Sequence, residues 1–345
     1  MKRIDAIDVL KAFAILLVVY GHVIQFGLTS DRLDEPVYRF IYTFHMPLFM
    51  VLCGFFSQSS MNLSWLALVR KKFNSLIIPC ISWGMVIYVL LVGVHLLKNK
   101  PGGGILELLS LIWTNYWFLK ALFACYVLAW FCFNTSIISK FCSVPAMCLI
   151  SQLIEIFNLP IMFPCFMIGM VVKQVIDSKW FVQLIPIYPI IYVVLLYFYN
   201  REYYDDTIER TVFISTYSAS SILELLTIRF YRLILGISAA LFFIAVIRKY
   251  IWTIQMGASK IMGYVLLCGR YSLGIYLIHT LFVSYLMQNL IHFDNVDSLL
   301  FYLLILPILS LVITMTCIII IIITNKNRNL SLLLFGTNYI NRDKC

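Results

Sequence analysis

Residues 44–56 read FHMPLFMVLCGFF, an apolar run that contains a single imidazole, His45. Similar runs, long enough to cross a hydrocarbon core of about 30 Å, recur along the whole chain. They are continuous rather than alternating, which indicates helices and not the strands of a barrel. Of the 345 residues, 62% are hydrophobic and 12% are charged, which is about half the charged fraction of a soluble domain. The sequence therefore predicts an all-α fold, a polytopic transmembrane helical bundle.

The number and direction of the spans follow from the apolar runs and the basic residues between them. We expect about ten spans, namely 6–27, 36–56, 74–97, 116–134, 137–154, 160–176, 181–199, 229–247, 270–290 and 299–324. Lysine and arginine are concentrated in alternate loops, which places both termini in the cytoplasm by the positive-inside rule. We expect one transmembrane domain, residues 1–325, and a short basic cytoplasmic tail, residues 326–345.

Charge and cysteine usage exclude several classes of protein. The formal charge of +10 comes from short basic clusters at span ends, which is typical of membrane orientation and not of a nucleic-acid partner. The ten cysteines form no CxxC pair, so we predict neither a metal site nor a disulfide framework. The first apolar run carries Asp8 and Lys11 and lacks a small-residue cleavage site, so we interpret it as a true span and not as a signal peptide.

Three polar residues interrupt the first span. Lys11 and His22 are separated by eleven positions, close to three full helical turns, so they share a face about 16 Å apart. Asp8 lies three positions before Lys11 and is expected to pair with it. A structural interpretation is that these side chains only reach towards the two interfaces. The functional interpretation is a polar stripe through the bilayer, since buried charges in a membrane are costly and usually serve a function.

Two more histidines lie in the middle of spans. His45 is followed by Pro47, which removes a backbone donor and predicts a kink beside the imidazole. Tyr276 precedes His279 by three positions and is expected on the same side of its helix. Each imidazole is either a histidine satisfied inside the core or a base able to accept a hydroxyl proton near neutral pH.

Basic and aromatic residues form the remaining candidates. Arg70, Lys71 and Lys72 either anchor a span at the cytoplasmic face or bind the phosphates of a nucleotide carrier. Trp117 either belongs to the aromatic belt at the interface or lines a substrate site, and Lys120 beside it is unusual for a span end.

At these residues the chain resembles the acyltransferase-3 family of integral membrane O-acyltransferases. IDVLKAFAILLVVYGH, residues 7–22, is similar to the first span of that family, in which a basic residue and a histidine are separated by ten residues. The other similar segments are FHMPLFMVLCGFF (44–56), VRKKFNSLIIP (69–79), YWFL (116–119), FPCFMIGMVV (163–172) and GRYSLGIYLIH (269–279). Lys11 stands where many members have arginine, as in the branch of proteins that resemble fucose 4-O-acetylase. Cys53 stands where serine is common.

The resemblance implies a function and a set of site residues. It implies transfer of an acyl group, expected to be acetyl, from acyl-CoA to a hydroxyl of a glycan such as an exopolysaccharide, capsule or lipopolysaccharide precursor. It implies a multi-pass protein of the bacterial cytoplasmic membrane, in contact with lipid, that uses acyl-CoA as a substrate and binds no cofactor. The implied catalytic residues are His22, Lys11, His45 and Asp8, and the implied substrate-binding residues are Arg70, Lys71, Lys72, Trp117, Tyr276 and His279.

Two other functions remain open at the level of sequence. A proton-coupled permease would use intramembrane Asp, Lys and His residues as a relay. Against it, the sequence shows no inverted repeat and predicts no paired broken helices. A structural subunit that guides a polymer would tolerate His22→Ala, whereas an enzyme that uses His22 would not.

Overall fold

The computed structural model describes residues 5–29, 31–97, 104–134, 137–152, 156–199, 219–250, 260–287, 293–294 and 296–337. The regular structure of these residues is helical. The helices are α1 (Asp5–Gly27), α2 (Pro36–Tyr42), α3 (His45–Phe55), α4 (Gln58–Met61), α5 (Trp65–Lys72), α6 (Ile78–Leu97), α7 (Ile105–Thr114), α8 (Trp117–Phe133), α9 (Ile137–Ser151), α10 (Leu159–Val175), α11 (Lys179–Gln183), α12 (Ile187–Tyr197), α13 (Ala219–Tyr250), α14 (Lys260–Arg270), α15 (Ser272–Thr280), α16 (Ser298–Leu300), α17 (Leu306–Thr324) and α18 (Arg328–Phe335).

Six helical segments of the described chain are long and apolar enough to cross a membrane. They are Asp5–Gly27, Pro36–Phe55, Trp65–Gly93, Ile156–Val175, Leu226–Tyr250 and Ser298–Thr324. Two further pairs, α7 with α8 and α14 with the helix that follows it, pass the same test together but bend by 63° and 75°. The all-helical, multi-pass prediction is therefore confirmed. The count of ten spans and the position of the termini stay predictions.

Two expected spans are shorter than the sequence suggested. The expected span 137–154 contains α9, which has 15 residues, and the expected span 181–199 contains α12, which has 11. A helix of about 20 residues is the usual length for a crossing. The third span shows the opposite difference, because its helix begins at Trp65 instead of residue 74 and continues through a π turn at Phe73–Ile77.

Glycines allow a close helix contact in the core, between α3 and α10. A Cβ atom added to Gly54 would lie 1.9 Å from the carbonyl oxygen of Phe166, and one added to Gly169 would lie 2.0 Å from that of Val51. Small residues let membrane helices approach to this degree, and packing then replaces the hydrophobic effect that lipid does not supply. This contact fixes α3, which carries His45, against the centre of the bundle.

Three breaks interrupt helices of the bundle. The second span is interrupted at residues 43–44, four and three positions before Pro47, as the proline predicts. The bends of 63° near Asn115 and 75° near Tyr271 were not expected. The prediction of no paired broken helices is therefore wrong, and the physical reason is local. The bend near Asn115 contains neither proline nor glycine, so the sequence does not mark it. The bend near Tyr271 lies between Gly269 and Gly274, which weaken a helix but do not by themselves specify a bend.

The segment after the last span is helical and packed. Phe335 of α18 is fully buried, and the indole Nε1 of Trp83 in α6 donates to the carbonyl oxygen of Leu334 at 2.9 Å. Gly336 ends this helix with φ 63°, a left-handed conformation that glycine adopts without strain. The division at residue 325 into a membrane domain and a tail stays a prediction.

Candidate active site

A polar cavity of about 410 Å³ lies at the end of the bundle that contains the C-terminal half of α1, and we call this end the cavity end. Four of the residues predicted to form the site line it: His22, His45, Trp117 and Tyr276. They come from α1, α3, α8 and α15, so residues far apart in sequence line the same cavity. His279 is adjacent, fully buried behind His22.

His22 and His279 contact each other directly. Their ring centroids are 5.0 Å apart, and His279 Nε2 lies 3.3 Å from His22 Nδ1. The other nitrogen of His279, Nδ1, is 3.0 Å from the carbonyl oxygen of Ile275 one turn earlier. Tyr276 packs beside His279 at 5.8 Å between ring centroids, as its spacing predicted.

His45 is held in the same way as His279. Its Nδ1 lies 2.8 Å from the carbonyl oxygen of Ile41, which also accepts from the backbone amide of Phe44 at 3.3 Å in the break at residues 43–44. A carbonyl only accepts hydrogen bonds, so Nδ1 carries the proton, and in the neutral ring Nε2 is an acceptor. Tyr42 packs against the ring at 4.6 Å between centroids. The imidazole is therefore fixed in orientation at the cavity wall.

The bend between α7 and α8 forms another wall of the cavity. Tyr116 adopts φ 58°, a left-handed conformation that is uncommon for a bulky residue. The buried ammonium of Lys120 donates to the carbonyl oxygens of Trp113 and Asn115, at 2.5 and 2.6 Å. Lys120 thus faces the bundle interior and satisfies carbonyls that the bend leaves without helical partners. Asn158, also left-handed at φ 56°, lines the cavity beside this bend.

Lysines gather at the opposite end of the bundle, which we call the lysine end. Lys11 Nζ lies 3.7 Å from Asp8 Oδ1, so the predicted pair is present. The same ammonium lies 4.8 Å from the ring centroid of Phe56, and Lys173 lies 4.7 Å from that of the neighbouring Phe55. These contacts bring two cations from α1 and α10 to one aromatic pair.

The predicted basic cluster is divided by the helix that carries it. Lys72 is half-buried, with its ammonium 3.5 Å from the ring centroid of Tyr126. Arg70 and Lys71 are exposed on α5 and do not line the cavity. In the part of the chain that the structure describes, no three His, Cys, Asp or Glu side chains are grouped to hold a metal ion.

Several cavity residues were not found from the sequence: Gln25, Arg32, Tyr42, Asn115, Asn158 and Arg232. Arg32 lies in a loop of mixed charge, and Asn158 lies between the expected spans 137–154 and 160–176. Neither residue type is unusual at such a position. Asn115 lies directly before the YWFL segment, and this position is the only indication of its role in the sequence. Tertiary structure brings the others to the cavity.

Comparison with known proteins identifies the family. Residues 4–324 match the model of an acyltransferase domain, the acyltransferase-3 type. The chain belongs to the acyltransferase-3 family. Its long apolar helices are those of a multi-pass membrane protein. The family match covers every segment that carried the resemblance in the sequence.

Two relatives are similar to parts of this chain. Nodulation protein NolL of Sinorhizobium fredii (strain NBRC 101917 / NGR234) is 26% identical over 180 residues, which cover 50% of this chain and 49% of that protein. Nodulation protein NolL of Mesorhizobium japonicum (strain LMG 29417 / CECT 9101 / MAFF 303099) is 30% identical over 125 residues, covering 35% and 34%. The chain thus matches about half or a third of the length of these relatives. No solved structure matches it.

Proposed function

We propose that this acyltransferase moves an acyl group, expected to be acetyl, from acyl-CoA to a hydroxyl of a surface or lipid-linked glycan. The observation that carries the proposal is the cavity in which the imidazoles of His22 and His45 meet amide, tyrosine and arginine side chains. Acyl transfer needs a base for the acceptor hydroxyl, donors for the oxyanion, and a site that limits hydrolysis of the thioester. In this cavity the imidazoles can serve as the base, the amide and tyrosine side chains can donate to the oxyanion, and the surrounding helices limit access of water.

His22 is the proposed base and His45 a second basic group at the same site. In the reaction, the O–H bond of the acceptor breaks as its oxygen attacks the thioester carbonyl, and the proton passes to His22. The C–S bond then breaks, and the departing sulfur takes that proton to give free CoA. Asn158 and Tyr276 line the same cavity and are the proposed donors to the oxyanion.

The lysine end is the proposed site for the phosphates of CoA. Lys11, Lys72 and Lys173 contact aromatic rings there, and Arg70 and Lys71 lie exposed on the same side of the bundle. Ammonium and guanidinium groups bind phosphate by charge-assisted hydrogen bonds. Lys11 and His22 are about 16 Å apart along α1, a separation that the extended pantetheine arm of CoA can bridge. Asp8, beside Lys11, is proposed to hold that ammonium in place.

The acceptor is proposed to enter from the cavity end. Gln25, Asn115 and Asn158 supply amides that suit sugar hydroxyls, Trp117 supplies an apolar face for a sugar ring, and Arg32 and Arg232 line the same cavity. With both termini in the cytoplasm, this end faces outward, where exopolysaccharide, capsule or lipopolysaccharide precursors are found. The proposed location is the bacterial cytoplasmic membrane, with acyl-CoA as donor substrate and no bound cofactor.

Release of free CoA from acetyl-CoA by purified protein tests this proposal. The assay compares wild type, His22→Ala and His95→Ala, a histidine of α6 that does not line the cavity, with mixed bacterial glycans as acceptors. We expect acceptor-dependent release that falls by roughly 10²- to 10⁴-fold in His22→Ala and is unchanged in His95→Ala. Release that is equal in all three proteins would move the chemistry away from His22.

A permease is the second candidate because the two bent spans resemble the discontinuous helices of transporters. Absence of CoA release with acetyl-CoA and succinyl-CoA, in protein shown to be folded, would favour it. Proton-coupled uptake of a solute by vesicles that contain the protein would then be the measurement.

A further inference from the structure

The contact between His279 and His22 assigns hydrogen positions in the site. His279 Nδ1 lies 3.0 Å from the carbonyl oxygen of Ile275, which can only accept, so this nitrogen carries a proton. In the neutral ring the second nitrogen, Nε2, then holds a lone pair. That atom faces His22 Nδ1 at 3.3 Å, so His22 must donate from Nδ1. The remaining nitrogen of neutral His22, Nε2, is left as the acceptor.

This tautomer is the one that a base at this position needs. Imidazole in water favours the opposite form, with the proton on Nε2, which would make His22 Nε2 a donor and not a base. When His22 takes a proton on Nε2, its Nδ1–H still donates to His279, so the same bond stabilises the imidazolium. In other acyl transfer enzymes a carboxylate accepts the hydrogen bond from Nδ1–H of the catalytic histidine. Here a second neutral imidazole, oriented by a backbone carbonyl, accepts it.

We propose that His279 is a positioning residue, which holds His22 in the Nδ1–H tautomer and aims His22 Nε2 at the acceptor hydroxyl. The inference rests on the proposed role of His22 as base. It replaces the substrate-binding role that family resemblance implies for His279. Burial supports the replacement, because His279 is 0% exposed and lies behind His22, whereas His22 lines the cavity.

Substitutions at position 279 separate the two hydrogen bonds of this imidazole. Asparagine places an amide near Nδ1 and keeps the bond to Ile275, but offers no atom at the position of Nε2. Glutamine places its amide near Nε2 and can accept from His22. We expect kcat for CoA release to fall roughly 10²-fold in His279→Asn and His279→Ala, with KM values for acetyl-CoA and glycan within about twofold of wild type. His279→Gln is expected to recover most of that loss.

Nitrogen-15 NMR of histidine-labelled protein gives a readout that does not need turnover. The chain has five histidines, so the signals of His22 can be assigned from the spectrum of a His22 variant. We expect wild type and His279→Gln to show His22 protonated at Nδ1 and unprotonated at Nε2. In His279→Asn the proton is expected to move towards Nε2. His95→Ala is the matched control, which removes its own signals but should change neither the signals of His22 nor the rate.

The outcomes separate this inference from the proposed function. A wild-type His22 that carries its proton on Nε2 overturns the inference, as does equal turnover in all variants at position 279. A larger rise in KM than fall in kcat would restore a substrate-binding role for His279 and also overturn it. The expected NMR spectra without any CoA release would support the positioning contact and contradict the proposed function alone.

Discussion

Lys120 shows how one side chain can stabilise an irregular backbone inside a membrane. Its ammonium donates to two carbonyl oxygens, those of Trp113 and Asn115, at the bend between α7 and α8. Unsatisfied carbonyls are costly where no water replaces the missing partner. The left-handed Tyr116 adds strain at the same corner, and its hydroxyl donates to the carbonyl oxygen of Leu277 at 3.0 Å. The corner is therefore held by the side chains of Lys120 and Tyr116.

Removal of this ammonium should loosen the bend. In Lys120→Met two carbonyls lose a charged donor, and hydrogen bonds to charged groups contribute about 1.5–3 kcal/mol each. We expect a lower midpoint temperature of unfolding in detergent and lower turnover, since Asn115 and Tyr116 line the cavity. The measurement is a thermal unfolding scan beside Lys179→Met, which removes an exposed lysine of α11. Equal midpoints for the two variants would show that Lys120 does not hold the corner.

At the residue scale the sequence predicted the histidines better than their surroundings. His22, His45 and Tyr276 were found because a polar group in an apolar run is costly and therefore informative. Asn158 and Arg232 gave no such signal, since amides and arginines are ordinary in loops and at span ends. His279 was found, but its contact with His22 joins positions 257 apart and depends on tertiary packing.

Among the elements, the pair α3 and α10 leaves no room for an added methyl group at its glycines. Gly54 and Gly169 face backbone atoms of the opposite helix and not flexible side chains. A neighbour of this kind cannot move aside, so an added methyl group must push the helices apart. Since α3 begins at His45, such a movement also displaces an imidazole of the site.

Alanine at these glycines is expected to reduce both stability and activity. Overpacking of a core typically costs about 1–3 kcal/mol, and we expect Gly54→Ala and Gly169→Ala to lie at the upper end because backbone opposes the new atom. Gly93→Ala in α6 is the matched control, since a Cβ atom there would meet nothing within 4 Å. Alanine in a helix is favoured over glycine by about 1 kcal/mol, so this control should be neutral or slightly stabilising. Comparable losses in all three variants would contradict the close contact.

Element boundaries were predictable only where the sequence contains a physical signal for them. Pro47 predicted the break in the second span because it lacks an amide hydrogen. The bend near Asn115 lies in sequence without proline or glycine, and tertiary partners such as Lys120 maintain it. The bend near Tyr271 lies between Gly269 and Gly274, which alone do not specify a bend. The start of the third span at Trp65 was missed because Arg70, Lys71 and Lys72 were interpreted as a loop. In the structure they lie on the helix itself.

At the scale of the whole molecule, the number of crossings depends on α9 and α12. Trp130 of α8 donates to the carbonyl oxygen of Leu63 at 2.8 Å, on the side of the lysine end. After α9, Gln152 donates to the carbonyl oxygen of Pro160 at 2.7 Å, next to cavity residues Ile161 and Met162. The chain has therefore returned to the cavity end through a helix of about 22 Å.

The chain also passes from one end of the bundle to the other through α12 and then through α13. Asp177, just beyond α10, pairs with Arg248 at 3.0 Å near the end of α13. The hydroxyl of Tyr192 in α12 lies 2.8 Å from that of Thr43, and Tyr199 lines the cavity. Each short helix thus connects the two ends, which favours ten crossings although neither reaches the usual length. Thinning of the bilayer around short segments is a known accommodation.

Cysteine labelling separates ten crossings from the eight that the long segments and bent pairs alone would give. With ten, residue 156 lies outside the cell and residue 179 inside; with eight, the two positions exchange sides. Both counts leave residue 29 outside and residue 326 inside. We therefore expect an impermeant maleimide to label Ile156→Cys and Thr29→Cys in intact bacterial cells, in a background without the ten native cysteines. Lys179→Cys and Lys326→Cys should react only after lysis. Labelling of Lys179→Cys but not Ile156→Cys in intact cells would establish eight crossings, because α9 would then remain on the cytoplasmic side and α12 on the outer side of the membrane.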